Sequence, residues 1–142
     1  MSAHQLLLSF HLLVIALGIG FLASNFINAR LALGQTGEMA KGLGLQRRTI
    51  ARFGDGVILL IWVTGGLLLW QRGGMAGLPP TFHVKLLFVV LLTVFHGLSR
   101  MTGERMLRAG NMAALPRLGG FILGGWLSAV VALVCAVLVF AV

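Results

Sequence analysis

Two histidines and a lysine in one apolar segment are the first residues of this sequence that could do chemistry. The segment TFHVKLLFVVLLTVFHGLSR, residues 81–100, contains His83, Lys85 and His96. Imidazole nitrogens bind metal ions and transfer protons, and a lysine ammonium pairs with acidic groups. Titratable groups are costly inside a membrane-spanning helix, so their presence there indicates a functional site unless a structural role explains them.

A third histidine, His11, lies in the segment SFHLLVIALGIG, and Gly18 follows it seven residues later. Seven residues are about two helical turns, so Gly18 lies almost directly below His11 on the same helix face. A histidine above a glycine groove suits a flat macrocycle whose iron binds the imidazole. The alternative is a buried histidine whose ring nitrogens are satisfied by hydrogen bonds within the protein.

The composition indicates that these residues belong to an integral membrane protein. The chain has 142 residues, of which 58% are hydrophobic, and its mean hydropathy is +1.00. Strands of a β-barrel would be shorter and half polar, so we predict an all-α, polytopic four-helix bundle that forms a single domain over residues 1–142. Stretches long enough to span a bilayer lie at about 5–30, 53–71, 81–99 and 118–141. Pro79 and Pro80 set the start of the third span, whose helix we expect to continue past Arg100 until Gly110, and we expect a short surface helix before Arg47 in the first loop. The first is longer than a signal-peptide core and has no preceding basic residue, so we expect it to be retained.

The distribution of basic residues predicts the orientation. Loop two, before the third span, has only Arg72, whereas nine basic residues flank loops one and three: Arg30, Lys41, Arg47, Arg48, Arg52, Arg100, Arg105, Arg108 and Arg117. The positive-inside rule then places loops one and three in the cytoplasm and both termini outside. This clustering in loops does not resemble a nucleic-acid-binding surface. Despite the net charge of +8, we therefore expect the protein to interact with the lipid bilayer and not with nucleic acid.

The predicted depths sort the titratable side chains into two layers. His11 and His83 both fall in the external half of the bilayer, where the bundle could bring them face to face as metal ligands; alone, His83 would be an ordinary interfacial histidine. Lys85 and His96 are eleven residues apart and share a helix face. Lys85 either extends outward to the membrane surface or provides a fixed cation for an acidic group such as a propionate.

A second layer lies near the cytoplasmic surface. Asp55 and His96 have matching depths and could pair, with Arg48 or Arg52 nearby to balance the charge. Such a pair is either a structural clamp between two helices or part of a proton path. The candidate catalytic residues are therefore Asp55 and His96, together with Lys85 in the external layer. The chain has only three acidic residues, so chemistry supplied by a cofactor fits better than carboxylate-based catalysis.

Small residues recur at helix-packing spacing in two spans. Ala16 and Gly20 are four residues apart, as are Gly120 and Gly124 in GGFILGG. Such spacing allows close helix approach. The neighbouring helix belongs either to the same bundle or to another subunit, in a homo-oligomer or a larger membrane complex.

These segments resemble the HemJ group of bacterial membrane proteins, within a wider superfamily that includes CopD-like copper-resistance proteins. The resemblance covers nearly the whole chain and rests on the early histidine, on RRTIARFGDGVILLIWVTGGLLLW and above all on FHVKLLFVVLLTVFHG. In that group the third span reads as an aromatic or apolar residue, histidine, any residue and lysine, then a later tyrosine or phenylalanine followed by histidine and glycine. The corresponding residues here are Phe82, His83, Lys85, Phe95, His96 and Gly97.

The resemblance implies a haem b-binding oxidoreductase that converts protoporphyrinogen IX to protoporphyrin IX. It implies His11 as a haem ligand, and it gives ligand or supporting roles to His83, Lys85 and His96, with Arg48 near the cytoplasmic edge. A porphyrin or a quinone-type redox partner is then expected.

Two other functions are compatible with the sequence. The wider superfamily, together with four histidines and six methionines, is compatible with copper handling. The glycine-rich helix faces and small size are compatible with a non-enzymatic accessory subunit of a larger membrane complex.

Overall fold

The computed structural model describes residues 2–140 and is helical throughout, apart from short turns. Within that range there is no β-strand, and each of the four helices is long and apolar enough to cross a membrane. The all-α, four-span prediction is therefore confirmed, and the chain is a multi-pass membrane protein. The helices are α1 (Ala3–Leu31), α2 (Gly37–Gln71), α3 (Pro80–Ala109) and α4 (Leu115–Phe140).

Local sequence signals explain where the helices begin and end. Ser2 caps α1 in a capping box with Gln5, in which each side chain bonds the other residue's backbone N–H. Pro79 and Pro80 begin α3, and Gly110 ends it in the left-handed conformation at φ 59°, which glycine adopts without strain. As predicted, α3 therefore starts at the proline pair and continues past Arg100 to Gly110.

Helix α2 is longer than the sequence predicted. In place of a separate surface helix before Arg47, one unbroken helix begins at Gly37 and ends at Gln71. Its loop-side half is helical because buried residues recur every three or four positions, at Ala40, Gly44, Arg47 and Ala51, and so form one face that packs on the bundle. At 1.5 Å per residue α2 is about 52 Å long, so it extends well beyond about 30 Å of hydrocarbon.

The four helices form a ring. Helix α1 packs on α2 and α4, and α3 packs most extensively on α4, whereas α2 and α3 share the fewest contacts. The diagonal pairs α1–α3 and α2–α4 do not pack together in the described part of the chain. The junction of α2 and α3 is therefore the loosest side of the ring.

The two ends of the bundle are built differently. The end with loops one and three, here named the basic end, contains a packed core of Ala29, Ala32, Met106, Leu115, Leu118 and Ile122. The end with both termini and loop two, here named the terminal end, surrounds a cavity instead. The outer surface is apolar, and Trp70 is 77% exposed, as expected for a lipid-facing residue near a membrane interface.

The small residues divide between inward and outward faces. A Cβ on Gly124 would lie 3.0 Å from the Phe95 ring, so this glycine lets α4 approach α3 closely. A Cβ on Gly120 or Gly20 would meet no atom within 4 Å, and Ala16 is exposed. Gly124 thus packs within the bundle, whereas the other three residues contribute little to it.

We predict that Gly124→Val destabilises the protein by about 1–3 kcal/mol, because the new side chain must displace a packed aromatic ring. Gly120→Val, four residues earlier on the same helix, should change stability by less than about 0.5 kcal/mol. Thermal unfolding in detergent, followed by circular dichroism, measures both. Equal losses in the two variants would contradict this packing.

Candidate functional site

A large cavity extends from the terminal end of the bundle as far as Asn25 and Ala51 and is lined by residues of all four helices. Its volume is about 780 Å³, within the usual range for small-molecule and cofactor sites. Aliphatic side chains make most of its wall, and small residues such as Gly18, Gly65 and Ala132 leave the space open. Polar side chains on the wall include His4, His11, Gln71, Arg72, Lys85 and His96.

His11 is held in one orientation by Thr64 on the neighbouring helix. The His11 side chain lies on α1, is only 5% exposed, and its Nδ1 is 2.6 Å from Thr64 Oγ1. Thr64 Oγ1 also lies 2.6 Å from the Leu60 carbonyl oxygen. With the hydroxyl donating to that carbonyl, Oγ1 accepts from His11, and on this basis we assign the tautomer of His11 that carries its proton on Nδ1.

The other ring nitrogen of His11 is left available. Burial away from any carboxylate favours the neutral ring, in which Nε2 is an unprotonated acceptor. Nε2 makes no hydrogen bond to any other residue that the structure describes, and a Cβ on Gly65 would lie 3.4 Å from the ring. Histidines that bind metals commonly donate their second N–H to a fixed acceptor in this way.

Lys85 lines the same cavity from α3. Its Nζ lies 5.5 Å from the centre of the Phe82 ring, a cation–π contact. Across residues 2–140 no carboxylate forms a salt bridge with it. Lys85 is therefore a cation on an apolar wall, and a bound acidic group could pair with it.

His83 does not face this cavity. It is exposed and packs edge-to-face on Phe82, with ring centres 6.3 Å apart. Residues two apart on a helix point in nearly opposite directions, so Lys85 on the cavity wall requires His83 outside it. The matching depths had suggested that the bundle brings His83 face to face with His11, but it does not.

Gly18 lines the cavity below His11 but is not an empty groove. A Cβ there would lie 3.0 Å from Val57 Cγ1, so α2 covers this position closely. The absent side chain mainly allows α1 and α2 to approach, and the open space lies further along the wall.

The predicted pair of His96 and Asp55 is confirmed. His96 Nε2 lies 2.8 Å from Asp55 Oδ1, and a Cβ on Gly54 would lie 2.7 Å from the His96 ring. Gly54 therefore provides the room that His96 occupies. Because His96 lines the cavity and the Asp55 side chain is 45% exposed, the pair extends from the cavity to the outer surface of the bundle.

The charge on Asp55 is balanced by a different arginine from those predicted. Arg100 Nε lies 3.2 Å from Asp55 Oδ2, one helical turn beyond His96 on α3. Arg48 instead pairs with Glu104 at 2.8 Å and does not line the cavity, and Arg52 is exposed. Depth alone could not distinguish these arginines, because helix rotation decides which of them faces Asp55.

Thr64 is the site residue that the sequence analysis missed. It lies about seven residues before the end of α2, and His11 lies about eight residues after the start of α1. The depth argument that paired Asp55 with His96 applies equally to this pair, so a hydroxyl inside WVTGG was the available signal.

Two further findings bear on the site. Within the described residues, no group of three or more His, Cys, Asp or Glu side chains is arranged to hold a metal ion. Comparisons with protein-family models, with curated proteins and with solved structures find no match. The geometry of the site and the sequence pattern are therefore what indicate its function.

We predict that Thr64→Val removes the fixed tautomer of His11 and costs about 1–3 kcal/mol, because a buried N–H loses its acceptor. Nitrogen-15 NMR of labelled histidine measures the tautomer, and thermal unfolding measures the stability. Thr49→Val is the matched control, since the exposed Thr49 also bonds a backbone carbonyl one turn earlier but contacts no histidine. An unchanged His11 spectrum in Thr64→Val would refute the assignment.

Proposed function

We propose that this protein is a haem b-binding oxidoreductase or electron-transfer protein of the bacterial inner membrane, with a reaction of the HemJ type on protoporphyrinogen IX. The observation that carries the proposal is that His11 lies on the wall of an apolar cavity with its Nδ1 beside Thr64, which leaves Nε2 without a partner among the described residues. Neutral imidazole is a common axial ligand of haem iron.

The residues around the cavity fit a haem in three respects. His11 supplies a ligand atom whose ring is already oriented by Thr64. Lys85 supplies a cation for a propionate, and the aliphatic walls suit the porphyrin face. Haem brings four nitrogen ligands of its own, so it needs only one or two from the protein, which agrees with a site that lacks a three-residue metal cluster in the described chain.

A haem bound there would supply one-electron redox chemistry. The residues of this chain then have separate roles: His11 binds, Lys85 orients, and the apolar walls exclude water. Oxidation of a porphyrinogen releases electrons and protons in equal number, so it requires an electron acceptor, for which a quinone-type partner is suitable, and an outlet for protons.

His96 and Asp55 are suited to the proton outlet. A proton taken up by His96 in the cavity can pass along the 2.8 Å hydrogen bond to Asp55, whose carboxylate reaches the outside of the bundle. Arg100 holds the second carboxylate oxygen at 3.2 Å and so keeps Asp55 in place. The positive-inside rule would open this outlet to the cytoplasm.

The first test of the proposal is the colour of the purified protein. From haem-replete cells it should show a Soret band, and His11→Ala should lose most of it because the iron loses its ligand. His83→Ala is the matched control, since His83 is exposed and lies outside the cavity; it should keep the band. A colourless wild-type preparation, or loss of the Soret band only in His83→Ala, would contradict the proposal.

The second test separates haem binding from turnover. Cells that lack their own protoporphyrinogen oxidase should grow when they express this protein, and Asp55→Asn should lower the rate roughly 100-fold with unchanged haem content, because proton transfer is impaired. Glu38→Gln changes an acid on the same helix whose side chain is 91% exposed and should have no effect. Haem retention without complementation would instead identify an electron-transfer cytochrome.

A further inference from the structure

A second polar cluster lies at the basic end, next to the large cavity, with which it shares Asn25 and Ala51. Arg47 on α2 is only 3% exposed, yet neither its Nη1 nor its Nη2 has a hydrogen-bond partner among the described residues. Its guanidinium packs against α3, where a Cβ on Gly103 would lie 3.5 Å from Nε and Nη2. Gly103 thus provides the space in which this buried cation lies.

The charges around Arg47 do not balance. The small cavity beside it is lined by Arg48 and Arg100 and also by the carboxylate of Glu104. Glu104 is paired with Arg48, and Arg100 is paired with Asp55. The third acidic residue, Glu38, pairs with Lys41 on the surface. Arg47 is left as one buried, uncompensated positive charge, which is strongly unfavourable in a protein interior.

The unsatisfied groups nearby are mostly donors. Arg100 Nη1 is also buried without a partner, as is the side-chain oxygen of Asn25. The oxygen and nitrogen of an asparagine amide are assigned from hydrogen bonds, so a half-turn of the Asn25 amide offers its N–H₂ instead. Arg47, Arg100 and Asn25 all line the small cavity.

The size of this cavity limits what can neutralise Arg47. Its volume is about 20 Å³, enough for one water-sized particle. A whole phosphate or lipid headgroup does not fit inside that volume, whereas chloride is a single atom and comes nearest to the size of water among the common anions. A single water could satisfy the hydrogen bonds, but it would leave the charge uncompensated.

We propose that Arg47, Arg100 and Asn25 bind one chloride-sized monoanion between α1, α2 and α3. The ion neutralises Arg47 and accepts hydrogen bonds from groups that otherwise have none. Because the site lies at the packed end of the bundle, the ion is a structural component that joins the basic parts of α2 and α3. The anion site is independent of any haem in the large cavity.

The test measures thermal unfolding of the purified protein at constant ionic strength, with sodium chloride replacing sodium gluconate. Chloride should raise Tm by about 5 °C for each tenfold increase above its dissociation constant. Bromide should act similarly, whereas gluconate is too large to enter. Arg47→Met should lose the anion dependence, and Arg52→Met, which removes an exposed arginine from the same helix, should keep it.

A direct measurement covers the case in which Arg47→Met does not fold. Equilibrium dialysis of the wild-type protein with radioactive chloride should show one saturable ion per chain. A Tm that is independent of the anion, together with no saturable chloride, would identify a water-filled site and overturn the proposal. Anion dependence that persists unchanged in a folded Arg47→Met would overturn it as well.

Discussion

The few polar side chains of this protein must find partners inside the bundle, because hydrocarbon offers them none. This constraint explains the main features of the structure. Thr64 accepts from His11, Asp55 binds His96 and Arg100, and each pair joins two different helices at matching depth. Once these pairs fix how the helices are rotated, the aliphatic residues have only to fill the outer surface and the spaces between them.

The sequence predicted the features that depend on length, depth and local signals. Four apolar stretches predicted four spanning helices, prolines and Gly110 predicted the ends of α3, and depth predicted the pairing of Asp55 with His96. Rotation of a helix about its axis was harder to predict, because all sides of these helices are apolar. For that reason the partner of Asp55 and the outward direction of His83 emerged only from the structure.

The two ends of the bundle separate two physical tasks. At the basic end, aliphatic side chains fill the interior, and ion pairs connect α2 to α3. At the terminal end, glycine and alanine leave an open interior in which His11 and Lys85 lie on apolar walls. Asn25 and Ala51 line both the large cavity and the small one. A thin layer of side chains therefore separates the packed basic end from the large cavity.

The order of the helices around the ring also bears on how the protein assembles. Helices α1 and α2 pack as one hairpin and α3 and α4 as another, and the two hairpins meet chiefly where α1 contacts α4. Neither hairpin alone encloses the large cavity, because residues from all four helices line it. A molecule bound there therefore adds its binding free energy to the association of the two membrane-inserted hairpins. It stabilises the fold of the protein that binds it.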